Sequence, residues 1–176
     1  GQVGDCGFIY DENKELVAEI SDTKVFNKIY VHYIGKLHSN LQSDKNYKLV
    51  IDIERREKIR NNHTATHLLH QSLRRVVGNH VSQKGSLVND QKLRFDYTSN
   101  EPLSEDKIKK IEFIVNSSIR SNIVSEIKYM PLKEAMQSGA VALFGEKYPE
   151  NVRVLSIKSN DDTNPFVSVE LCGGTH

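Results

Sequence analysis

The stretch that decides the fold is DIERREKIRNNHTATHLLHQSLRRVVG, residues 52–78. Apolar residues recur in it at helical spacing, Asp52 is a favourable N-cap, and Gly78 is a typical residue to end a helix. These features predict one long helix. Two imidazoles, those of His63 and His67, stand four residues apart and therefore lie one turn apart on the same face of that helix.

The residues before this helix predict short strands. Five runs are rich in β-branched and aromatic residues, and turn-forming Asp, Asn and Ser separate them. The runs are 7–10, 16–20, 24–26, 29–34 and 47–51. Because strands at this spacing are typical of a small sheet or barrel, we assign residues 1–52 to a small β-barrel-like subdomain. We expect this subdomain to be truncated at its start, since the chain begins inside a Gly-rich turn.

The residues after the long helix mix both kinds of element. Ser104 is a favourable N-cap for a second helix, for which 108, 111, 115 and 119 form the predicted buried stripe. A short helix is predicted over 131–138. Strands are predicted at 80–83, 92–97, 126–129, 153–157 and 166–171. Helices and strands do not alternate as in βαβ units, so the predicted fold class is α+β, with a mostly antiparallel sheet and packed helices in a second domain over 53–176.

Composition limits the class of protein. The chain has 176 residues, of which 38% are hydrophobic and 27% charged, as in a globular domain. No apolar run approaches the roughly 20 residues that span a bilayer, and the start lacks the features of a signal peptide. Two cysteines are too few for a disulfide framework, which favours a reducing compartment, and we expect the cytoplasm. A net charge of +1 argues against a large nucleic-acid footprint but allows a local basic patch.

A second short motif repeats the spacing of the histidine pair. In CGGTH, residues 172–176, Cys172 and His176 stand four residues apart, and the two glycines between them predict a tight loop. Each pair alone also fits ordinary buried side chains. Together, three imidazoles and a thiolate indicate a tetrahedral metal site, with zinc favoured over magnesium or calcium. His70, three residues after His67, is a candidate hydrogen-bonding partner of the site.

On ligand count alone, the residues favour a structural role for this metal. Four protein ligands normally close a structural zinc site, whereas a catalytic site keeps one position for water or substrate. The helix motif also lacks the glutamate after the first histidine that metallopeptidases use as a base, which argues against a peptidase.

Five separated motifs carry a family resemblance. They are NHTATHLLH (62–70), VSQKGSLV (81–88), LRFDY (93–97), GAVALFGEKY (139–148) and LCGGTH (171–176), and GQVGD (1–5) precedes them. In this order they resemble the editing domain of alanyl-tRNA synthetases. Free-standing alanyl-tRNA editing proteins and the threonyl-tRNA synthetase editing domain share the outline, but the QKGSLV and ALFGEKY runs favour the synthetase.

The resemblance implies a function and a set of site residues. The family proofreads by hydrolysing the ester that links wrongly attached serine or glycine to tRNA(Ala), beside one zinc ion near the 3′ end. His63, His67, Cys172 and His176 match the family's metal positions. Gln83 matches a position that recognises or hydrolyses the misplaced amino acid, and Thr66 matches a residue of the same pocket. Both side chains can hydrogen-bond a serine hydroxyl, and a hydrolytic second site is needed because one methyl or hydroxyl gives only about 1–3 kcal/mol of discrimination.

The resemblance also implies partners. The expected partner is the 3′ end and acceptor stem of tRNA(Ala), with Lys84, Arg94, Arg74 and Arg75 as candidate contacts, and we expect neither membrane nor DNA binding. The longer parent enzyme would charge tRNA(Ala) with alanine using ATP, a reaction for which this chain carries no motif. Two alternatives remain: a free-standing trans-editing deacylase, and a non-catalytic zinc-stabilised RNA-binding module.

Overall fold

A computed structural model describes residues 1–142, 147–159 and 167–176. The motif residues 143–146 and the start of the strand predicted at 166 lie outside the described residues. In chain order the elements are β1 (Gly7–Tyr10), β2 (Leu16–Phe26), β3 (Ile29–Leu37), β4 (Lys48–Ile51), α1 (Ile53–Val76), β5 (Gln83–Val88), β6 (Leu93–Tyr97), α2 (Glu105–Arg120), β7 (Val124–Pro131), α3 (Leu132–Gln137), β8 (Asn151–Lys158) and β9 (Val167–Leu171).

The first four strands form one antiparallel sheet in the order β3-β2-β1-β4. Ile9, Val17, Ala18 and Ile20 form its core. The prediction of separate strands at 16–20 and 24–26 is wrong, because β2 continues through Ser21–Asp22 with a register irregularity there that accommodates the two polar residues. Among the described residues this sheet stays open and does not close into a barrel.

The helix α1 confirms the prediction from residues 52–78. The Asp52 carboxylate accepts a hydrogen bond from the backbone N–H of Arg55 at 3.0 Å, and Gly78 adopts a φ of +138° just past the C-cap Val77. The helix α1 contacts α2, the β5–β6 hairpin and β9. The helix thereby connects the layers that surround the candidate site.

The second helix begins as predicted but buries a shorter stripe. The hydroxyl of Ser104 accepts a hydrogen bond from the N–H of Lys107, which caps α2. Ile111 is buried, whereas Ile108 and Ile119 are 42% and 53% exposed. The predicted four-residue stripe is therefore wrong at both ends, because Ile108 and Ile119 lie in the first and last turns of α2 and only its middle packs into the core.

The hairpin after α1 begins later than predicted. The predicted strand at 80–83 is a connection, because the Arg74 guanidinium donates to the carbonyls of Asn79 and Val81 and holds that segment against the end of α1. Strand β5 instead runs from Gln83 to Val88 and pairs antiparallel with β6, with a register shift at Gly85.

The last sheet, in the order β7-β8-β9, is antiparallel. Leu155 and Ile157 of β8 pack with Leu68 of α1, and Cys172, directly after β9, is packed against this cluster. The α+β class with mostly antiparallel sheets is confirmed, while the division at residue 52 stays a prediction. None of the helices within the described ranges is both long enough and apolar enough to cross a membrane.

Candidate metal centre

The helix α1 and the loop after β9 bring the four predicted ligands together. The donor atoms of His63, His67, Cys172 and His176 all lie within 4.8 Å of one another. The Cys172 Sγ is 3.5 Å from His63 Nε2 and 3.2 Å from His176 Nε2. Ligand atoms of a tetrahedral zinc site are roughly 3.3–3.8 Å apart, which follows from the usual bond lengths. The four side chains can therefore hold one metal ion.

Each of the three histidine rings is oriented by a partner on its Nδ1 atom. For His63 the partner is Gln2 Oε1 at 2.6 Å, for His67 it is Glu170 Oε2 at 2.9 Å, and for His176 it is Thr64 Oγ1 at 3.2 Å. An amide carbonyl and a carboxylate only accept hydrogen bonds, so Nδ1 of His63 and of His67 carries the proton. The Nε2 lone pairs of both rings are then available to a metal.

Two further observations fit a metal at this position. The Nε2 atom of His67 is buried and lacks a hydrogen-bond partner among the described residues, which a metal bond would remedy. Burial alone would raise the pKa of the Cys172 thiol, but hydrogen bonding, first with His176, lowers it to about 3. Cys172 is therefore a thiolate, the form that binds metals. Thiolate and imidazole donors fit a borderline-soft divalent ion better than magnesium or calcium.

Glu170 connects the centre to the protein core. Its Oε2 atom accepts hydrogen bonds from His67 and from His70 Nδ1 at 3.1 Å, and its Oε1 accepts one from the Ser168 hydroxyl at 2.9 Å. Burial opposes the ionisation of Glu170, yet the hydrogen bonds from His67 and His70 hold its pKa below the usual range of a glutamate. His70 therefore supports the site through Glu170.

An open cleft of 570 Å³ lies against the centre and is lined by His63, His67 and Cys172. Thr66 and Gln83, the two predicted catalytic residues, line the same cleft. The Thr66 hydroxyl donates to the carbonyl of Asn62 at 2.8 Å, which leaves its oxygen able to accept. The Gln83 amide donates to the Ser86 hydroxyl at 3.0 Å. The structure brings both side chains to the cleft, and their catalytic roles stay predictions.

The four basic residues predicted to contact tRNA lie elsewhere. In the part of the chain that the structure describes, Lys84, Arg94, Arg74 and Arg75 are absent from the lining of this cleft. The Arg94 guanidinium pairs with Asp96, and that of Arg74 holds the segment after α1. Their contact with tRNA stays a prediction.

Sequence reasoning missed the residues that support the centre. Gln2, Thr64 and Glu170 orient the histidines, and Arg153 lines the cleft while donating to the Cys172 carbonyl at 2.6 Å. Glu170 carried no usable signal, because Cys172 lies directly after β9 and the alternation of sides along a strand does not extend to it. Gln2 carried no signal, because it lies 61 positions from His63.

Comparisons with known proteins identify relatives of the whole chain. No protein-family model matches the chain. Over its whole length the chain is 44% identical to an alanine--tRNA ligase of Parvibaculum lavamentivorans, 46% identical to one of Legionella pneumophila and 44% identical to one of Fusobacterium nucleatum. It covers 20%, 19% and 19% of these proteins, so it spans about one-fifth of the length of the curated relatives it matches. The chain is therefore homologous to a segment of alanine--tRNA ligases.

Proposed function

We propose that this chain, as the counterpart of one segment of an alanine--tRNA ligase, is an editing deacylase. Its substrates would be Ser-tRNA(Ala) and Gly-tRNA(Ala), and the reaction would be hydrolysis of the ester at the 3′ end, beside one zinc ion. The observation that carries this proposal is the position of Thr66 and Gln83, which line the same cleft as three of the four candidate metal ligands. In the longer protein, ATP-dependent attachment of alanine would belong to other segments, and the cytoplasm is the proposed location.

Zinc fits the donor set of His63, His67, Cys172 and His176 best, because one thiolate and three imidazoles in a tetrahedron are typical of this ion. When bound, zinc would supply a Lewis acid next to the ester and its amino acid. The protein's own contribution is to hold these four donors in place and to shape the cleft.

The residues of the cleft suggest how the reaction proceeds. The Thr66 oxygen can accept a hydrogen bond from the serine hydroxyl, and the Gln83 amide can orient a water molecule toward the ester carbonyl. An ester is more reactive than an amide, so orientation can supply much of the rate. With alanine, Thr66 would lose this hydrogen-bonding partner, which favours the serine ester over the alanine ester. This contact does not act on the glycine ester, whose clearance is proposed from the family resemblance.

Arg153 is the best candidate for contact with the RNA backbone. Its side chain lines the metal cleft and also a neighbouring 460 Å³ cavity that Arg56 and Arg60 share. Guanidinium groups bind phosphates well because they donate two parallel hydrogen bonds. Arg153 and Arg60 also donate to the carbonyls of Cys172 and His176, so this cluster contacts the metal loop directly.

The test is deacylation of tRNA(Ala) charged with serine, glycine or alanine. We expect the chain to clear the serine and glycine esters and to spare the alanine ester. Gln83→Ala should lower the rate about 100-fold, as loss of one oriented group does in other hydrolases, while zinc content stays unchanged. Gln42→Ala, in an exposed loop, is the matched control. No rate above spontaneous hydrolysis at high protein concentration would overturn the proposal.

A closed four-ligand centre also suits a structural zinc site, which supports the non-catalytic RNA-binding alternative. Two results together would favour that alternative: the chain unfolds when zinc is chelated, and the zinc-loaded chain binds tRNA(Ala) without cleaving any ester.

A further inference from the structure

Gln2 lies outside both elements that carry the metal ligands, yet its side chain contacts both. Its Oε1 atom accepts three hydrogen bonds: from His63 Nδ1 at 2.6 Å, from the Thr175 backbone N–H at 3.0 Å and from the Thr175 hydroxyl at 3.1 Å. Thr175 lies between Cys172 and His176 in the metal loop. A single carbonyl oxygen thus joins a ligand of α1 to the loop that supplies two other ligands.

The backbone around Gln2 is anchored to β5. Gln2 pairs with Val88 in a parallel bridge, the N–H of Val3 donates to the Val88 carbonyl at 3.0 Å, and the N–H of Val88 donates to the Gly1 carbonyl at 2.9 Å. Val88 itself is buried. The Gln2 carbonyl therefore reaches the centre from a hydrogen-bonded position on the same strand that begins with Gln83.

The metal loop approaches the His63 ring so closely that a side chain at position 174 would overlap it. A Cβ atom added at Gly174 would overlap the His63 ring and would lie 2.8 Å from Gln2 Oε1. The loop is thus packed directly on the hydrogen bond between Gln2 and His63. A change in the Gln2 side chain would therefore alter the positions of both the His63 ring and the metal loop.

We infer that Gln2 is a positioning residue for the metal centre. Its carbonyl keeps the proton of His63 on Nδ1, so that Nε2 can bind the ion, and it holds the loop where Cys172 and His176 meet the same ion. This inference rests on the metal-binding part of the proposed function and does not depend on the ester chemistry.

The test compares two substitutions of similar size. Gln2→Met keeps the length of the side chain but removes the acceptor, and Gln2→Glu keeps an acceptor. Affinities for Zn²⁺ and Co²⁺ are measured on the 176-residue chain by competition with a chromophoric chelator, and the visible spectrum of the Co²⁺ form is recorded. Loss of such an outer partner typically weakens metal binding about 10- to 100-fold, which we expect for Gln2→Met together with an altered Co²⁺ spectrum. Gln2→Glu should bind at least as tightly as the parent, and Gln42→Met is the control.

A Gln2→Met variant that binds Zn²⁺ within threefold of the parent and keeps its Co²⁺ spectrum would overturn the inference, because a packing role needs no acceptor. If Gln2→Met does not fold, Gln2→Glu decides: parental affinity supports the inference, and a tenfold loss overturns it. If the affinities follow the expected order and no ester is cleaved, the deacylase proposal fails while the positioning role of Gln2 stands.

Discussion

Replacement of Glu170 by glutamine removes one negative charge from the centre with little change in shape. The carbonyl oxygen of the new amide can take the place of Oε2 and accept from His67 and His70, while the amide nitrogen donates to the Ser168 hydroxyl. Hydrogen bonds to a charged group contribute about 1.5–3 kcal/mol, and neutral ones about 0.5–1.5 kcal/mol. Two bonds that each lose about 1 kcal/mol should lower the free energy of unfolding by about 2 kcal/mol.

Only one of these two bonds reaches a metal ligand. The hydrogen bond from His67 raises the basicity of its Nε2 atom. The hydrogen bond from His70 joins Glu170 to a buried side chain that is not a metal ligand. We therefore expect Glu170→Gln to weaken Zn²⁺ binding about tenfold, at the lower end of the usual range for outer partners. Urea unfolding of the metal-free chain gives the stability, and chelator competition gives the affinity.

Ser168→Ala is the matched control for this prediction. It removes the partner of Oε1 and should cost about 1 kcal/mol of stability, but it leaves both histidine bonds and hence the Zn²⁺ affinity within threefold of the parent. The proposed role of the Glu170 charge is refuted if Glu170→Gln binds Zn²⁺ as tightly as the parent, or if Ser168→Ala weakens binding to the same extent.

Three other changes test different parts of the structure. Gly174→Ala should weaken Zn²⁺ binding at least tenfold, because its Cβ would overlap a ligand ring, whereas Gly173→Ala, whose Cβ meets nothing within 4 Å, should bind normally in the same competition assay. Arg153→Ala should weaken binding of uncharged tRNA(Ala) and lower the slope of log affinity against log salt by about 1, while Arg94→Ala, at a contact predicted from the sequence, should change both less; equal effects would contradict the assignment of Arg153. Asp52→Ala removes the cap of α1 and should lower the free energy of unfolding by about 1 kcal/mol in urea titrations, with no change in Zn²⁺ affinity.

Local patterns predicted the parts of the molecule that depend on neighbouring residues. The caps and the periodicity predicted α1. The two four-residue spacings predicted the ligand set, because one pair of ligands lies within one helical turn and the other within one loop. The strand expected at 80–83 failed because a side chain of α1, Arg74, holds that segment instead. Gln2 and Glu170 could not be predicted to meet His63 and His67, since tertiary packing alone brings them there.

The two halves of the metal centre also differ in when they are made. Cys172 follows His67 by 105 positions, and a ribosome adds about 5–20 residues per second, so the histidine pair exists for roughly 5–20 s before the thiolate emerges. During that interval only two of the four donors are present, too few for a tetrahedral site. The late arrival of Cys172 and His176 then completes a tetrahedron with a soft donor. The order of synthesis thus leaves the four-donor site incomplete until Cys172 and His176 have been added.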